Sequence, residues 1–170
     1  MLRSKRGKLN ALNEGINYAK TDAIAITDAD VELNKDSLKS AVSYLRKDIG
    51  AVNGYVVARA EETSSLMKEK AKYKKKDWEL RYQEGMVDSA CNLDGKFLIF
   101  RKSIFSGFSE DMFVDDYSMT FKVRDKGYRL IVDKSAEVYE KLEGDLEGEI
   151  VQFKRYAMSV LIINFNQLVV

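Results

Sequence analysis

A short apolar run, Asp22-Ala-Ile-Ala-Ile-Thr27, lies between two stretches of helical spacing and ends in the acidic cluster Asp28-Ala-Asp30-Val-Glu32. A run this short and apolar predicts a strand buried on both faces, as in a sheet covered by helices. Upstream, residues 8–20 put Leu9, Leu12, Ile16 and Ala19 on one helical face. Downstream, residues 35–47 predict a helix with Leu38, Val42 and Leu45 as its apolar stripe. Strands are predicted at 50–58, 96–101, 129–133 and 136–140. Between them fall one long helix or two shorter ones over 61–85, a short helix at 102–105, a loop over 107–114 and a helix over 115–126. Gly127 stops that last helix, in the manner of a C′ glycine. A further helix is predicted over 146–163. Strands alternating with helices indicate an α/β fold with a mostly parallel sheet flanked by helices. No linker or repeat divides residues 1–170, so they read as a single domain.

Composition narrows the chemistry. The chain has no histidine, no proline and one cysteine, Cys91. Ser-His-Asp triads, Cys-His pairs, HExxH zinc sites and cysteine zinc clusters are thereby excluded. Cys91 reads as a small buried apolar residue. The 28 basic and 27 acidic residues leave a net charge of +1, which gives no case for a nucleic-acid partner. Catalysis must therefore use carboxylates, amines, hydroxyls, amides and a borrowed metal, and carboxylates favour the hard cations Mg²⁺ or Mn²⁺. The lysines between Lys68 and Lys76 read as a solvated helix face, with contact to a membrane surface as the sharper alternative. The apolar tail, 157–170, is shorter than the roughly 20 residues of a spanning helix and reads as a core or interfacial helix, with the cut edge of a membrane segment as the alternative.

Three motifs can carry chemistry. Residues i and i+2 of an extended chain point the same way, so Asp28 and Asp30 would converge at the carboxyl end of a strand, where open α/β sheets bind ligands. A divalent ion between them would relieve their repulsion and bridge a diphosphate. The plainer reading is a solvated acidic turn. Asp115 and Asp116 open a predicted helix, either as residues favoured by its dipole or as a general base for a hydroxyl nucleophile. Gln152, Arg155 and Tyr156 share one helical face, where the guanidinium could bind phosphate.

The order of these motifs resembles glycosyltransferase family 2. Gly7-Lys8-Leu9-Asn10-Ala11-Leu12-Asn13, followed by Asp28-Ala-Asp30, is similar to the family's "GKxxALNxG…DxDxxxxxD" core. Gly95, with the strand leading to Arg101, looks like its glycine–strand–arginine stretch, Val114-Asp115-Asp116 its "(T)EDxxL" element and Gly127-Tyr-Arg129 its "GyR" entry. Gln152-Phe-Lys-Arg155-Tyr156 matches "QxxRW", with tyrosine in place of tryptophan. The resemblance implies a GT-A fold and transfer of sugar from a UDP- or GDP-type donor to a saccharide or lipid-linked acceptor, with inversion. It implies Asp28 and Asp30 on the metal and diphosphate, Asp116 as base, Lys8, Asn13 and Arg155 on the nucleotide-sugar side, and Gly95, Asp115, Gln152 and Tyr156 lining the acceptor or donor side.

The family's opening strand, "PxxNE" turn and base-reading strand have no counterpart here. The resemblance therefore predicts a domain truncated at its N-terminus, its sheet completed by a second copy or another chain. It also predicts a location in the cytoplasm, at the inner face of the membrane. Two rival readings remain. A haloacid-dehalogenase-like phosphotransferase would use Asp28, Asp30, Lys96 or Lys102 and the Asp115-Asp116 pair. An inactive remnant would serve only in association.

Overall fold

The computed structural model describes residues 8–46, 48–60, 65–105, 107, 115–142, 147–151, 153–154 and 157, with backbone alone for Leu9 and residues 115–118. The elements are α1 (Lys8–Tyr18), β1 (Ala23–Thr27), β2 (Val31–Leu33), α2 (Ser37–Ser43), β3 (Ile49–Ala60), α3 (Ser65–Val87), β4 (Phe97–Arg101), a 3₁₀ turn (Lys102–Ile104), α4 (Asp115–Asp125) and β5 (Arg129–Leu142). Residues 147–151 are helical again.

The described strands form one sheet in the order β1-β4-β3-β5-β2. The α/β architecture matches the sequence pattern, but the mostly parallel sheet does not. Three of the four strand pairs are antiparallel, and β3 with β5 is the parallel one. The reason is β4, which enters between β1 and β3 against the direction of both. Hydrophobic pattern marks a segment as a strand but not the end from which it enters the sheet.

The core gathers where the inner faces of β3, β4 and β5 meet helices. Val52, Leu98, Ile99, Phe100 and Leu130 are buried there with Trp78 of α3 and Val123 of α4. Phe100 and Phe105 meet edge to face at 5.8 Å, a favoured aromatic geometry. α1 contributes Ile16 to this core, with Leu12 packed against it.

Two expectations about burial are corrected. β1 is an edge strand, so Ile24 is buried but Ala25 and Thr27 are exposed, and burial on both faces does not hold. In α2 two residues of the predicted stripe are turned outward: Leu38 and Val42 are exposed, while Ser37 and Ala41 are buried; only Leu45, just past the helix, packs against the core. The Ser37 hydroxyl donates to the Glu137 carbonyl at 2.8 Å. That bond docks the small, polar side of the helix on β5.

β2 was not anticipated, and the two strands predicted over 129–140 form the single β5. Its pairing with β3 jumps from Gly54↔Asp133 to Tyr55↔Glu137. Gly54 sits at the jump because a Cβ there would lie 2.6 Å from Val138 Cγ2 and 2.7 Å from the Ala136 carbonyl oxygen.

α4 ends as expected. Gly127 has φ +76°, its N–H donates to Arg124 O at 2.8 Å, and the Tyr128 N–H donates to Val123 O at 3.1 Å. This is the paired 5→2 and 6→1 pattern of a Schellman cap. A Cβ at Gly127 would meet nothing within 4 Å, so only backbone strain opposes a side chain. Gly127→Ala is expected to cost about 1 kcal/mol, read as a lower urea midpoint with unchanged slope.

Candidate functional site

β1 ends at Thr27, where the Thr27 hydroxyl donates to the Lys96 carbonyl at 2.9 Å and the Asp28 N–H donates to the same oxygen at 3.3 Å. Thr27 pairs with Phe97 in the antiparallel ladder, so Asp28 falls opposite Lys96, on the same face of the sheet. Asp28 is also 3.3 Å from the Lys8 ammonium at the start of α1. Residues 29 and 30 form a turn leading to β2, so a shared strand pleat does not orient the two aspartates, as the spacing had suggested. Asp30 is exposed and lines an open cavity of about 270 Å³ with Glu32, Arg59, Tyr139 and Lys141.

A set of charges surrounds Lys96. Its ammonium lies 3.2 Å from Glu140 Oε1, and the other carboxylate oxygen of Glu140 lies 2.5 Å from the Lys74 ammonium. Asp94 Oδ1 accepts the Lys96 N–H at 2.9 Å. The two lysines titrate in opposite directions although both contact Glu140. Burial pushes Lys74 down, the like charge of Lys96 adds to it, and Glu140 and Asp94 do not offset that. Burial also pushes on Lys96 most strongly, but Asp94, Glu140 and Asp28 together outweigh it and hold that ammonium above the usual lysine range.

The segment carrying Lys96 is held from below by Asn53 of β3, which is 1% exposed. Its Nδ2 donates to Asp94 O at 2.7 Å and Phe97 O at 3.0 Å, and its Oδ1 accepts the Asp94 N–H at 3.1 Å. Gly95 is buried within this turn. From the other side, Thr120 of α4 accepts the Leu93 N–H at 3.0 Å. α4 thus packs beside the Lys96 segment, and Asp115 and Asp116 are its first two residues; their side chains lie outside the described residues. α1 approaches the same region through Asn13: its Oδ1 would lie 3.1 Å from a Cβ at Gly107, whose carbonyl accepts from Lys122 of α4 at 3.1 Å.

The structure therefore brings Lys8, Asp28, Gly95 and the start of α4 to one end of the sheet, with Asn13 against the chain that leads to α4. Gln152, Arg155 and Tyr156 lie outside the described residues, as does the tail beyond Ala157. Sequence reasoning missed Asn53 and Glu140 and weighed Lys96 only for the phosphotransferase. The one readable signal was a polar Asn53 inside the otherwise apolar Ala51–Val57 stretch. Two smaller expectations also change. Cys91 is exposed, its thiol pushed up by partial burial and by Glu84. The basic run is only partly a solvated face, since Lys70 reaches Glu149 at 2.5 Å and Lys74 reaches Glu140.

Among the described residues no group of three or more Asp, Glu, Cys or His side chains could hold a metal ion. A metal that arrives with a diphosphate needs only one or two protein carboxylates, because phosphate oxygens and water supply the rest. Asp28 already draws an ammonium to within 3.3 Å, so the donor set fits such a cation. No helix of the described residues is long and apolar enough to cross a membrane.

The family model for Glycosyl transferase family 2 matches residues 1–108. The poly-β-1,6-N-acetyl-D-glucosamine synthase of Staphylococcus aureus (strain COL) is 26% identical over 92% of this chain and 39% of its own length. That of Staphylococcus epidermidis is 25% identical over 72% of the chain and 31% of its own length. The chain thus spans about two fifths or less of these relatives. Among solved structures, the mannosyltransferase PcManGT from Pyrobaculum calidifontis, in complex with GDP-Man and Mn²⁺, superposes with a TM-score of 0.62 at 27% identity, over 80% of this chain and 36% of that one. None of these similarities supports the phosphotransferase reading.

Proposed function

The chain belongs to glycosyl transferase family 2 and has a GT-A-like α/β fold, and from that premise we propose that it moves a sugar from a nucleoside-diphosphate sugar to an acceptor hydroxyl, with inversion. The observation that carries this reading is Asp28 just past the end of β1, with the Lys8 ammonium at 3.3 Å and its N–H bonded to the Lys96 carbonyl one step beyond the β1–β4 ladder. A carboxylate beside an ammonium suits a ligand that brings both phosphate and a divalent cation. The names of the relatives add support for donor and acceptor class. One is a mannosyltransferase held with GDP-Man and Mn²⁺, and others are synthases of a polysaccharide. The acceptor class here is accordingly a saccharide or lipid-linked saccharide.

Asp28 and Asp30 would hold Mg²⁺ or Mn²⁺, whose chemistry is to neutralise the diphosphate as it leaves. Lys8 supplies a further positive charge beside Asp28. Asp116, at the start of α4, takes the proton of the acceptor hydroxyl. The oxygen then attacks the anomeric carbon from the face opposite the diphosphate. The new carbon–oxygen bond forms as the bond to the phosphate oxygen breaks, and the electron pair leaves with the nucleoside diphosphate. Arg155 and Asn13 belong to the nucleotide-sugar side, and Gly95, Asp115, Gln152 and Tyr156 to the side where sugars meet. The same reading places the protein in the cytoplasm at the inner face of a membrane.

Thermal unfolding with Mn²⁺ and GDP- or UDP-sugars tests the donor class. A ligand at about 100 times its Kd stabilises a protein by about 2.7 kcal/mol, which gives a shift of several degrees. A stable chain whose midpoint moves with none of these donors would instead favour the association module.

A further inference from the structure

Lys96 lies among three carboxylates at the candidate site, Asp28, Asp94 and Glu140. Its carbonyl accepts the Asp28 N–H at 3.3 Å just beyond the β1–β4 ladder, its ammonium touches Glu140 at 3.2 Å, and Asp94, two residues earlier, accepts its backbone N–H. Its side chain is 20% exposed, so the ammonium is largely buried but reachable. Glu140 is held in turn by Lys74 at 2.5 Å, and Asn53 fixes the backbone on either side of Lys96. Few surface lysines are held from so many directions, since a long flexible stem loses rotamer entropy when fixed.

Resting on the donor-site reading above, we propose that Lys96 is a second phosphate-binding cation of the donor site, and that Glu140 is the positioning residue that aims it. Lys8 and Lys96 then both stand near Asp28, one at the start of a helix and the other in the turn before β4. An ammonium has three N–H donors, so Lys96 can keep Glu140 on one of them and give another to a diphosphate oxygen. Asp28 remains available to the metal side of the same diphosphate, which separates the two duties that a lone acidic turn could not fulfil. Glu140 leaves its mark in the affinity of Lys96 for phosphate without touching the ligand.

Calorimetric titration of the whole chain with GDP and with UDP, each with Mn²⁺, tests this. Lys96→Met is expected to weaken the better-bound nucleotide by about tenfold, the scale of one hydrogen bond to a charged group. Lys96→Arg keeps the charge and is expected to stay within about threefold of wild type, because arginine also serves phosphate. Glu140→Gln is expected to fall between them. A rescue by arginine separates phosphate binding from a merely structural ion pair, which unfolding midpoints of the same variants check. Wild type that binds while Lys96→Met binds equally well overturns the inference and leaves the donor site standing. Arginine as weak as methionine also overturns it. Wild type that binds neither nucleotide overturns the donor-site reading and the inference together.

Discussion

Asp116→Asn is expected to lower sugar transfer by about 10²–10⁴-fold, the usual contribution of a positioned general base, with nucleoside-diphosphate binding within about twofold of wild type. Asparagine keeps the shape of the side chain, and Asp116, the second residue of α4, is not its N-cap. Stability should therefore hold, which distinguishes this substitution from loss of a cap. A carboxamide cannot accept the acceptor's proton at neutral pH, so the loss falls on the chemical step. Transfer assays paired with titration of Mn²⁺ and nucleotide read the two effects separately. Loss of nucleotide binding in this variant, or transfer at the wild-type rate, removes Asp116 from the role of base. The start of α4 is a fitting place for the group. Thr120, on the same helix, bonds to Leu93 at 3.0 Å, so the helix that begins with Asp115 and Asp116 is tied to the segment carrying Gly95 and Lys96.

Asn53→Ala is expected to cost about 2–4 kcal/mol of stability and to weaken nucleotide binding as well. The side chain makes three hydrogen bonds to backbone groups of Asp94 and Phe97. Its removal leaves buried donors and acceptors unmet, each at about 1–3 kcal/mol before relaxation. Asn53→Leu is the control. It fills the volume but strands the same backbone groups, so it should be no more stable than the alanine variant. If leucine restored wild-type stability in chemical denaturation, packing and not hydrogen bonding would be the role of Asn53. Because Asn53 holds the turn that presents Lys96, both variants should lose affinity for a Mn²⁺–nucleotide beyond what lower stability explains.

Much of this site could be read in the order of residues, and the reason is local. An apolar Ala23–Thr27 run followed by Asp28 is a strand with a charged end, whatever surrounds it. Gly127 closes α4 by backbone geometry alone, and the structure shows that cap bond for bond. What stayed hidden depended on distant partners. Lys74 and Glu140 stand 66 positions apart, and Thr27 and Lys96 stand 69 apart; no spacing rule joins such residues. The sense of β4 was hidden for the same reason, because it depends on which gap the strand fills. The Leu38 and Val42 stripe misled because helical period identifies a face, and a hydroxyl bond from Ser37 chose the other one. Asp28 and Asp30 stand two apart in sequence, but the turn at residues 29 and 30 replaced the extended geometry that had been assumed for them.

The jump in pairing between β3 and β5 has a consequence for how such chains can vary in length. Gly54 pairs with Asp133, and the very next residue, Tyr55, pairs with Glu137. Residues 134–136 are thus slack in the ladder, and Lys134 and Ser135 are exposed. One residue gained or lost in an unbroken strand would turn every later side chain to the opposite face, carrying Glu140 away from Lys96 and Lys74. Here the slack absorbs the change before it reaches Glu140. A single glycine inserted between Lys134 and Ser135 should be accommodated as a larger blister, with the lysine–glutamate contacts kept. The same insertion between Val138 and Tyr139 should break them. The irregularity is a length buffer that insulates the charged end of the sheet from insertions and deletions on its approach.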